Sequence, residues 1–314
     1  MVLAVILIVV GAAALVFGSD ALTRGVCRSV FAAGATPASV GIAFLGLEVG
    51  PVVLLAFAAA RGDASFATGI ALGSTAYLIT AGLGAGLMMS RRSMPSPPAI
   101  AVALPGIPLL AAGIAVGDGY VNRIEGIGLV VMFGIYLAVM GVDGEVTELR
   151  GEQLRKGSAR GLRVPALLLS AIGVVAAVVG ALALLGGGDR LLDHSGLTAG
   201  FVGTALLGPL AAIGGLRSVL PSPPPQGRPW RAEDEEPAAQ AVATLACLGA
   251  GGLGLAALIH PLHIDGAAEF AAVAAAAVYV PSAVAFLARG RAGAAAGSVT
   301  VVLAVAWVLI AVHF

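Results

Sequence analysis

Residues 34–46 read GATPASVGIAFLG, and residues 196–208 read GLTAGFVGTALLG. Seven of these thirteen positions are identical in the two stretches. In a chain rich in alanine and glycine this identity is not decisive alone, but each copy also opens the second apolar segment of a unit of five. An odd number of membrane helices per unit places the two copies in opposite orientations. The pattern therefore predicts the inverted-repeat plan of many transporters.

The composition is that of a membrane protein. Of 314 residues, 59% are hydrophobic and only 11% are charged, and the mean hydropathy is +1.02. A soluble protein of this size could not cover so much apolar surface with so few charges, so the lipid bilayer is the expected partner. The 45 glycines suit close packing of membrane helices. The formal net charge of zero gives no indication of a nucleic-acid partner.

Ten apolar runs are long enough to cross about 30 Å of hydrocarbon. They lie at 2–18, 38–60, 64–90, 99–117, 125–142, 164–186, 197–220, 238–259, 267–288 and 293–312. We predict an all-α membrane protein with ten transmembrane helices in two inverted five-helix repeats. The first repeat is residues 1–142, the second is 164–314, and 143–163 is a cytoplasmic linker.

The distribution of Lys and Arg predicts the orientation. With the N-terminus outside, the inside loops hold fourteen of these residues: Arg24, Arg28, Arg91, Arg92, Arg150, Arg155, Lys156, Arg160, Arg163, Arg217, Arg228, Arg231, Arg289 and Arg291. The outside loops hold three: Arg61, Arg123 and Arg190. This positive-inside bias predicts a multi-pass protein of the cell inner (plasma) membrane with both termini outside.

Helices 2 and 7 are both predicted to be broken. The first copy of the repeat continues to Gly50-Pro51, and the second contains Gly208-Pro209 followed by Gly214-Gly215. Proline removes a backbone donor and glycine weakens a helix. A simple kink would explain either break, but matching breaks in two halves favour a binding site.

Glu48 is an acidic residue near the middle of predicted helix 2. A carboxylate at mid-bilayer is unfavourable unless it is paired, hydrated or protonated, and such residues commonly mark ion or proton pathways. The alternative is a protonated glutamate that hydrogen-bonds a neighbouring helix.

Four further polar residues complete the candidate site. Ser74 and Thr75 lie in predicted helix 3, and Gln240 and Thr244 lie in predicted helix 8. Hydroxyl and amide oxygens are suitable ligands for Na⁺, Ca²⁺ or Mg²⁺. Interhelical hydrogen bonding is the alternative role of such side chains.

Other polar residues are interpreted as structural. Asp20 and Asp189 lie near the predicted ends of helices 1 and 6, where we expect interfacial positions. Cys27 and Cys247 lie in different parts of the scheme, and no disulfide is expected. The four histidines, His194, His260, His263 and His313, fall on the outside edge and are expected to be solvated.

Four segments together resemble the calcium/cation antiporter superfamily, which includes the sodium/calcium exchangers. They are GSDALTRGVCR (18–28), RGDASFATGIALGSTAY (61–77), GDGYVNRIEGIGLVVMFGIYL (117–137) and LGLAALIHPLHID (253–265). The family carries G-T-S-L-P-E in helices 2 and 7, and its two glutamates are cation ligands. Here the first copy reads GLEVGP (46–51), and no acid lies between Leu197 and Leu220. The family asparagines of helix 3 correspond to Ile70 and Thr75. The resemblance thus implies the fold but not the calcium site.

These observations predict a secondary-active cation antiporter, not an enzyme, with no cofactor. Its site would consist of Glu48, Ser74, Thr75, Gln240 and Thr244. A single carboxylate cannot neutralise a desolvated divalent ion, so transport of Na⁺ or H⁺ is favoured and Ca²⁺ is the less favoured cargo. The alternative is a non-transporting exchanger-like scaffold or regulatory protein. A membrane enzyme ranks third, because the spans carry no nucleophile–base pair.

Overall fold

The computed structural model describes residues 1–78, 94–95, 106–159, 164–216, 240, 243–263 and 291–292. These residues are mostly helical. The helices are α1 (Val2–Ala32), α2 (Pro37–Ala43), α3 (Val49–Ala60), α4 (Ala64–Tyr77), α5 (Gly106–Val116), α6 (Arg123–Asp143), α7 (Glu145–Ala159), α8 (Ala166–Ser195), α9 (Ala199–Gly215) and α10 (Ala243–Ile259). Two short antiparallel pairs join β1 (Met94–Pro95) to β4 (Arg291–Ala292) and β2 (Tyr120–Val121) to β3 (Leu262–His263).

Three of the described helices, α1, α6 and α8, are long and apolar enough to cross a membrane. Their outward positions carry exposed apolar side chains, such as Val9, Ile124 and Val175. This is the surface expected of helices in contact with lipid. Predicted helices 9 and 10 lie outside the described residues, as do large parts of helices 3 and 4. The count of ten therefore stays a prediction.

Helix α1 is much longer than the predicted run of 2–18, because it continues without interruption to Ala32. The polar segment after Gly18 is helical as well. Asp20 and Arg24 form an i,i+4 ion pair at 2.9 Å on this segment, which supports a helix beyond the apolar run. Helix α8 likewise extends past residue 186 to Ser195. Asp20 and Asp189 thus lie within helices rather than at their ends.

Helices α1 and α8 run antiparallel and pack backbone to backbone. A Cβ atom built on Gly11 would lie 2.8 Å from the amide of Leu184, and one on Gly180 would lie 2.8 Å from the carbonyl oxygen of Gly11. The contact glycines recur every seven residues, as Gly11, Gly18 and Gly25 in α1 and Gly173, Gly180 and Gly187 in α8. The two sets are separated by 162 positions, like Gly34 and Gly196 in the repeat. The small-residue contact is the membrane packing mode expected from the composition.

Predicted helix 2 is broken, but not at Gly50-Pro51. Helix α2 ends at Ala43, and α3 begins at Val49 after a non-helical segment in which Gly46 has a φ of +71°. Pro51 lies in the first turn of α3. A proline there removes only an amide that would lack a helical partner anyway, so it does not interrupt the helix.

Predicted helix 7 is irregular rather than broken at Gly208-Pro209. Helix α9 passes from an α-helical turn (Ala199–Val202) to a π-helical segment (Gly203–Leu207), a second α-helical turn (Gly208–Ala212) and a 3-10 turn (Ile213–Gly215). Pro209 again lies in a first α-helical turn. The two repeat copies start alike, because Thr36 caps α2 and Thr198 caps α9 through their side-chain oxygens.

The predicted linker contains a helix, α7, that packs on α2. A Cβ atom on Gly151 of α7 would lie 2.7 Å from Cα of Pro37, and one on Gly41 of α2 would lie 3.0 Å from the amide of Gly151. The backbones of the two helices are therefore in direct contact. Helix α6, which precedes the linker, starts with a capping box formed by Asn122 and Glu125.

The core lies around α4, which is buried from Phe66 to Ala76. It packs against α3 and against the π-helical segment of α9. A Cβ atom on Gly73 would lie 2.7 Å from Cα of Thr204. Small residues thus bring the backbones of α4 and α9 together beside the break between α2 and α3.

Candidate functional site

Glu48 is the last residue of the break and the N-cap of α3. Its backbone is extended, with φ −108° and ψ 103°, and its side chain does not cap the helix. The carboxylate instead rests against the 3-10 turn of α9, where a Cβ atom on Gly215 would lie 2.8 Å from Oε1. The thiol of Cys247 in α10 contacts the backbone of Glu48. The break therefore positions this acid between three helices.

A buried side-chain amide stabilises the break between α2 and α3. The backbone N–H of Gly46 donates to Oε1 of Gln240 at 3.1 Å, and Gln240 has no exposed surface. A Cβ atom on Gly46 would lie 2.8 Å from the amide of Thr244. Gly46 thus combines a left-handed backbone with close approach to α10, which only glycine permits without strain.

Glu48 lines a cavity of about 680 Å³. One wall is the middle of α1, from Ala12 to Thr23, and the opposite wall is the break together with the last turns of α9. The polar side chains among the lining residues are Ser19, Asp20, Thr23, Glu48 and Arg150. The cavity is much larger than a bare ion, so a cation there would keep part of its hydration.

Two of the lining residues were assigned elsewhere by the sequence. Asp20 was expected at a membrane interface, yet it faces the cavity while forming its ion pair with Arg24. Arg150 was expected in a cytoplasmic loop, yet it is only 9% exposed and reaches the cavity from α7. The site therefore contains two carboxylates and a guanidinium rather than one acid.

The other predicted ligands are not among the residues that line the cavity. Ser74 donates to the carbonyl oxygen of Gly208 at 2.9 Å, which links α4 to α9. Thr75 donates to Ala71 within α4 at 2.7 Å, and Thr244 donates to Gln240 at 2.9 Å. All three hydroxyls are buried. In this conformation Gln240 and Ser74 connect the break and α9 to their neighbours.

The sequence contained a signal for Arg150, but it was weak. Among the described side chains of α7, the buried ones follow helical spacing along one face; they belong to Thr147, Arg150, Gly151 and Ser158. None of these four residues has a large apolar side chain. The sequence of this face therefore lacks the apolar stripe by which the buried side of a helix is usually recognised. Asp20 was missed because the helix was predicted to end at residue 18.

A protein-bound metal cluster is not indicated by the described part of the chain. Within it, no group of three or more His, Cys, Asp or Glu side chains is arranged to hold a metal ion. Outside the cavity, Arg61 pairs with Asp189 at 3.3 Å, and the ring centroids of Tyr120 and His263 lie 4.6 Å apart with the rings tilted by 53°. These contacts join α3 to α8 and β2 to β3 at the opposite end of α1 and α8 from α7.

Comparison with solved structures identifies the architecture. A crystal structure of the H⁺/Ca²⁺ exchanger CAX matches with a TM-score of 0.70 and 13% identity, over 99% of this chain and 87% of that chain. The sodium-calcium exchanger NCX_Mj, soaked with Na⁺ and Sr²⁺, matches with a TM-score of 0.61 and 18% identity, over 98% of both chains. This chain has the calcium/cation antiporter-like fold. The resemblance inferred from the sequence is confirmed at the level of the fold.

No protein-family model matches the chain, and no curated protein matches it either. The similarity is thus carried by the arrangement of helices. At 13–18% identity the exchangers share the fold with this chain, and the charges of the cavity have to be interpreted from its own residues.

Proposed function

We propose that this chain is a secondary-active cation antiporter that exchanges monovalent cations or protons. The observation that carries the proposal is Glu48, a carboxylate placed in a helix break and facing a cavity. An ionisable group at such a position commonly takes part in ion or proton transport. The solved structures that share this fold are described as Na⁺/Ca²⁺ and H⁺/Ca²⁺ exchangers.

The charges around the cavity favour a singly charged cargo. Asp20 and Glu48 supply two negative charges, but Arg150 lines the same cavity and Arg24 is paired with Asp20. The formal charges of these four side chains sum to zero. A proton or one Na⁺ would add one charge to this arrangement, whereas a divalent ion would add two, and the electrostatic energy rises with the charge. We therefore infer that Ca²⁺ transport is weak or absent.

In the proposed transport cycle, the packed helices α1 and α8 move together. The cavity lies between α1 on one side and the break with α9 on the other. Alternating access would come from rocking of one helix group, which includes α1 and α8, against the rest. The hydroxyl and amide groups of Ser74, Thr75, Gln240 and Thr244 would hold the break and α9 against their neighbours during this movement.

The proposed topology is ten helices in two inverted repeats, with both termini outside the inner membrane. It is supported by the antiparallel contact of α1 and α8 and by their glycines, which are matched at the same separation as the repeat copies. The small residues at equivalent positions are those expected when two homologous helices cross about a pseudo-two-fold axis.

Purified protein in proteoliposomes tests the function directly. A pH-sensitive dye inside the vesicles reports proton movement under an imposed Na⁺ gradient, and radiolabelled Ca²⁺ uptake is measured in Na⁺-loaded vesicles in parallel. We expect a Na⁺-driven pH change with little Ca²⁺ uptake. Robust Na⁺-dependent Ca²⁺ uptake would contradict the charge argument, and vesicles silent in both assays would contradict antiport.

A non-transporting scaffold is the second candidate. The observation that favours it is the guanidinium of Arg150 among the lining residues of the cavity, because it offers the acids a counter-ion that belongs to the protein. In that case neither flux would be detected, although the protein would fold and insert normally.

A further inference from the structure

The cavity receives a positive charge from outside the transmembrane helices. Arg150 belongs to α7, in the segment between the two halves, and lines the same cavity as Glu48 and Asp20. It is buried, with 9% of its surface exposed. A buried guanidinium is stabilised where carboxylates balance its charge, and the lining of this cavity contains two acids.

Contacts of α7 with α1 and α2 fix the position of Arg150. The residue that follows it, Gly151, contacts the backbone of Pro37 so closely that a Cβ atom would lie 2.7 Å from Cα of Pro37. At the other end of α7, the Arg28 side chain donates to the carbonyl oxygens of Ser158 and Val164. An arginine at the C-terminal carbonyls stabilises a helix end. Arg150 is thus held by a packed helix and not by a loose loop.

We propose that Arg150 determines the valence of the cation that the cavity accepts. This inference rests on the proposed antiport function. Arg24 pairs directly with Asp20, and among the described residues that line the cavity Arg150 is the cation that shares it with Glu48. Repulsion between Arg150 and a bound ion is proportional to the product of their charges and is twice as large for Ca²⁺ as for Na⁺ at one position. Arg150 therefore selects against divalent ions more strongly than against monovalent ions or protons.

The test compares three variants for Ca²⁺ binding and transport. In Arg150→Gln the net charge around the cavity falls by one unit, whereas Arg150→Lys retains it. Arg155→Gln is the matched control, because Arg155 is an exposed residue of α7 that pairs with Glu152 at 2.9 Å. Binding is measured in detergent as the Ca²⁺-dependent shift of the unfolding temperature, which does not require transport. Radiolabelled Ca²⁺ uptake is measured in vesicles.

We expect the apparent Ca²⁺ affinity of Arg150→Gln to rise at least about tenfold above that of the natural protein. Arg150→Lys and Arg155→Gln should both behave like the natural protein. An unchanged Ca²⁺ response in folded Arg150→Gln would overturn the proposal, and so would an equal gain in Arg155→Gln. If antiport itself is absent, vesicles of the natural protein show no Na⁺-driven pH change, whereas the binding assay still reports on Arg150.

A second variant covers the case in which Arg150→Gln does not fold. Gly151→Ala keeps every charge but forces α7 away from Pro37, which moves Arg150 relative to the acids. The proposal predicts a Ca²⁺-dependent thermal shift in this variant too. Gly157→Ala is its control, because a Cβ atom on Gly157 of the same helix meets nothing within 4 Å. An equal Ca²⁺ response in Gly151→Ala, Gly157→Ala and the natural protein would contradict the assigned role of Arg150.

Discussion

Glu48 combines three properties that are individually common but jointly informative. It is acidic, it lies in the non-helical segment between α2 and α3, and it lines a cavity instead of capping the helix that it precedes. An N-cap carboxylate that does not accept from its own helix gives up a favourable interaction of about 1 kcal/mol. The position is therefore better explained by a role in the cavity than by the stability of α3.

Replacement of Glu48 by Gln should abolish cation exchange while leaving folding and insertion intact. The amide preserves the shape of the side chain but cannot hold a proton or a negative charge at the cavity. The measurement is Na⁺-driven pH change in proteoliposomes, with size-exclusion chromatography as the check on folding. The matched control is Glu152→Gln on α7, which removes an acid paired with Arg155 away from the cavity lining. Full activity in Glu48→Gln would remove Glu48 from the site.

Variants of Ser74 and Thr244 test whether these hydroxyls bind the transported cation or only stabilise the structure. Each donates to a helix carbonyl, and neither lines the cavity. Ser74→Ala and Thr244→Val should each lower the free energy of unfolding by about 1 kcal/mol, the usual net value of one hydrogen bond. The apparent KM for the transported cation should stay within about threefold of the natural value. A rise of tenfold or more in KM would instead identify the altered hydroxyl as a cation ligand.

At the residue scale, the sequence indicated Glu48 but not its neighbours in the cavity. Glu48 was recognisable because an acid in the middle of an apolar run is unfavourable in a bilayer. Asp20 could not be assigned to the cavity, since hydropathy ends α1 about fourteen residues too early. Arg150 lies more than 100 positions away in sequence from Glu48, and no periodicity within one helix reports a contact between two distant ones.

At the scale of elements, the sequence predicted that helix 2 is broken but misplaced the break. Gly-Pro was taken as the interruption, whereas Gly50 and Pro51 form the first turn of α3. The interruption lies at Gly46, whose positive φ is compatible with the contact to Gln240. That contact is tertiary, so the local sequence could indicate a weak helix but not the residue at which the chain turns.

Gly46→Ala should destabilise the non-helical segment between α2 and α3, and Gly34→Ala provides the comparison. Both glycines have positive φ, at +71° and +91°, so both substitutions incur the left-handed penalty of about 1–2 kcal/mol. Only Gly46 is crowded, because a Cβ atom on Gly34 meets nothing within 4 Å. Gly46→Ala should therefore lower the unfolding free energy by about 1–3 kcal/mol more than Gly34→Ala does.

Thermal denaturation and flux are measured for both of these variants. Gly34→Ala should retain exchange, and Gly46→Ala should lose most of it because α10 and the break can no longer pack together. Equal stability of the two variants would show that the contact between Gly46 and α10 is not tightly packed in the membrane.

At the scale of the whole molecule, the antiporter-like fold was predictable because small residues recur at one separation along the chain. The identities between residues 34–46 and 196–208 share their separation with the contact glycines of α1 and α8. Under an inverted repeat, homologous helices meet antiparallel at their crossing, and the same glycines must serve both sides of the contact. The charges that distinguish this cavity are not symmetric, since position 182, which matches Asp20, is Leu182. The repeat predicts the scaffold but not the site.

The orientation in the membrane can be tested with introduced cysteines. Cys27 and Cys247 are only 1% and 3% exposed, so they are poor targets for labelling and are replaced by alanine. Because α1 and α8 are antiparallel and α7 packs beside the end of α1, Ser195 and Gln153 should lie on opposite sides of the membrane. Both are exposed. The arginine bias predicts that Gln153 lies on the cytoplasmic side.

In this background, Ser195→Cys should react with an impermeant maleimide in intact spheroplasts, and Gln153→Cys should react only after permeabilisation. Arg61, an outside cation in this scheme, pairs with Asp189 of α8. Arg155 of α7 is paired in the same way with Glu152, so ion pairing does not distinguish the two sides. The preference for this orientation comes from the number of Lys and Arg residues, which is fourteen inside against three outside in this scheme. If the labelling pattern were reversed, the positive charges of α7 would face outward and Arg150 would enter the cavity from the external side.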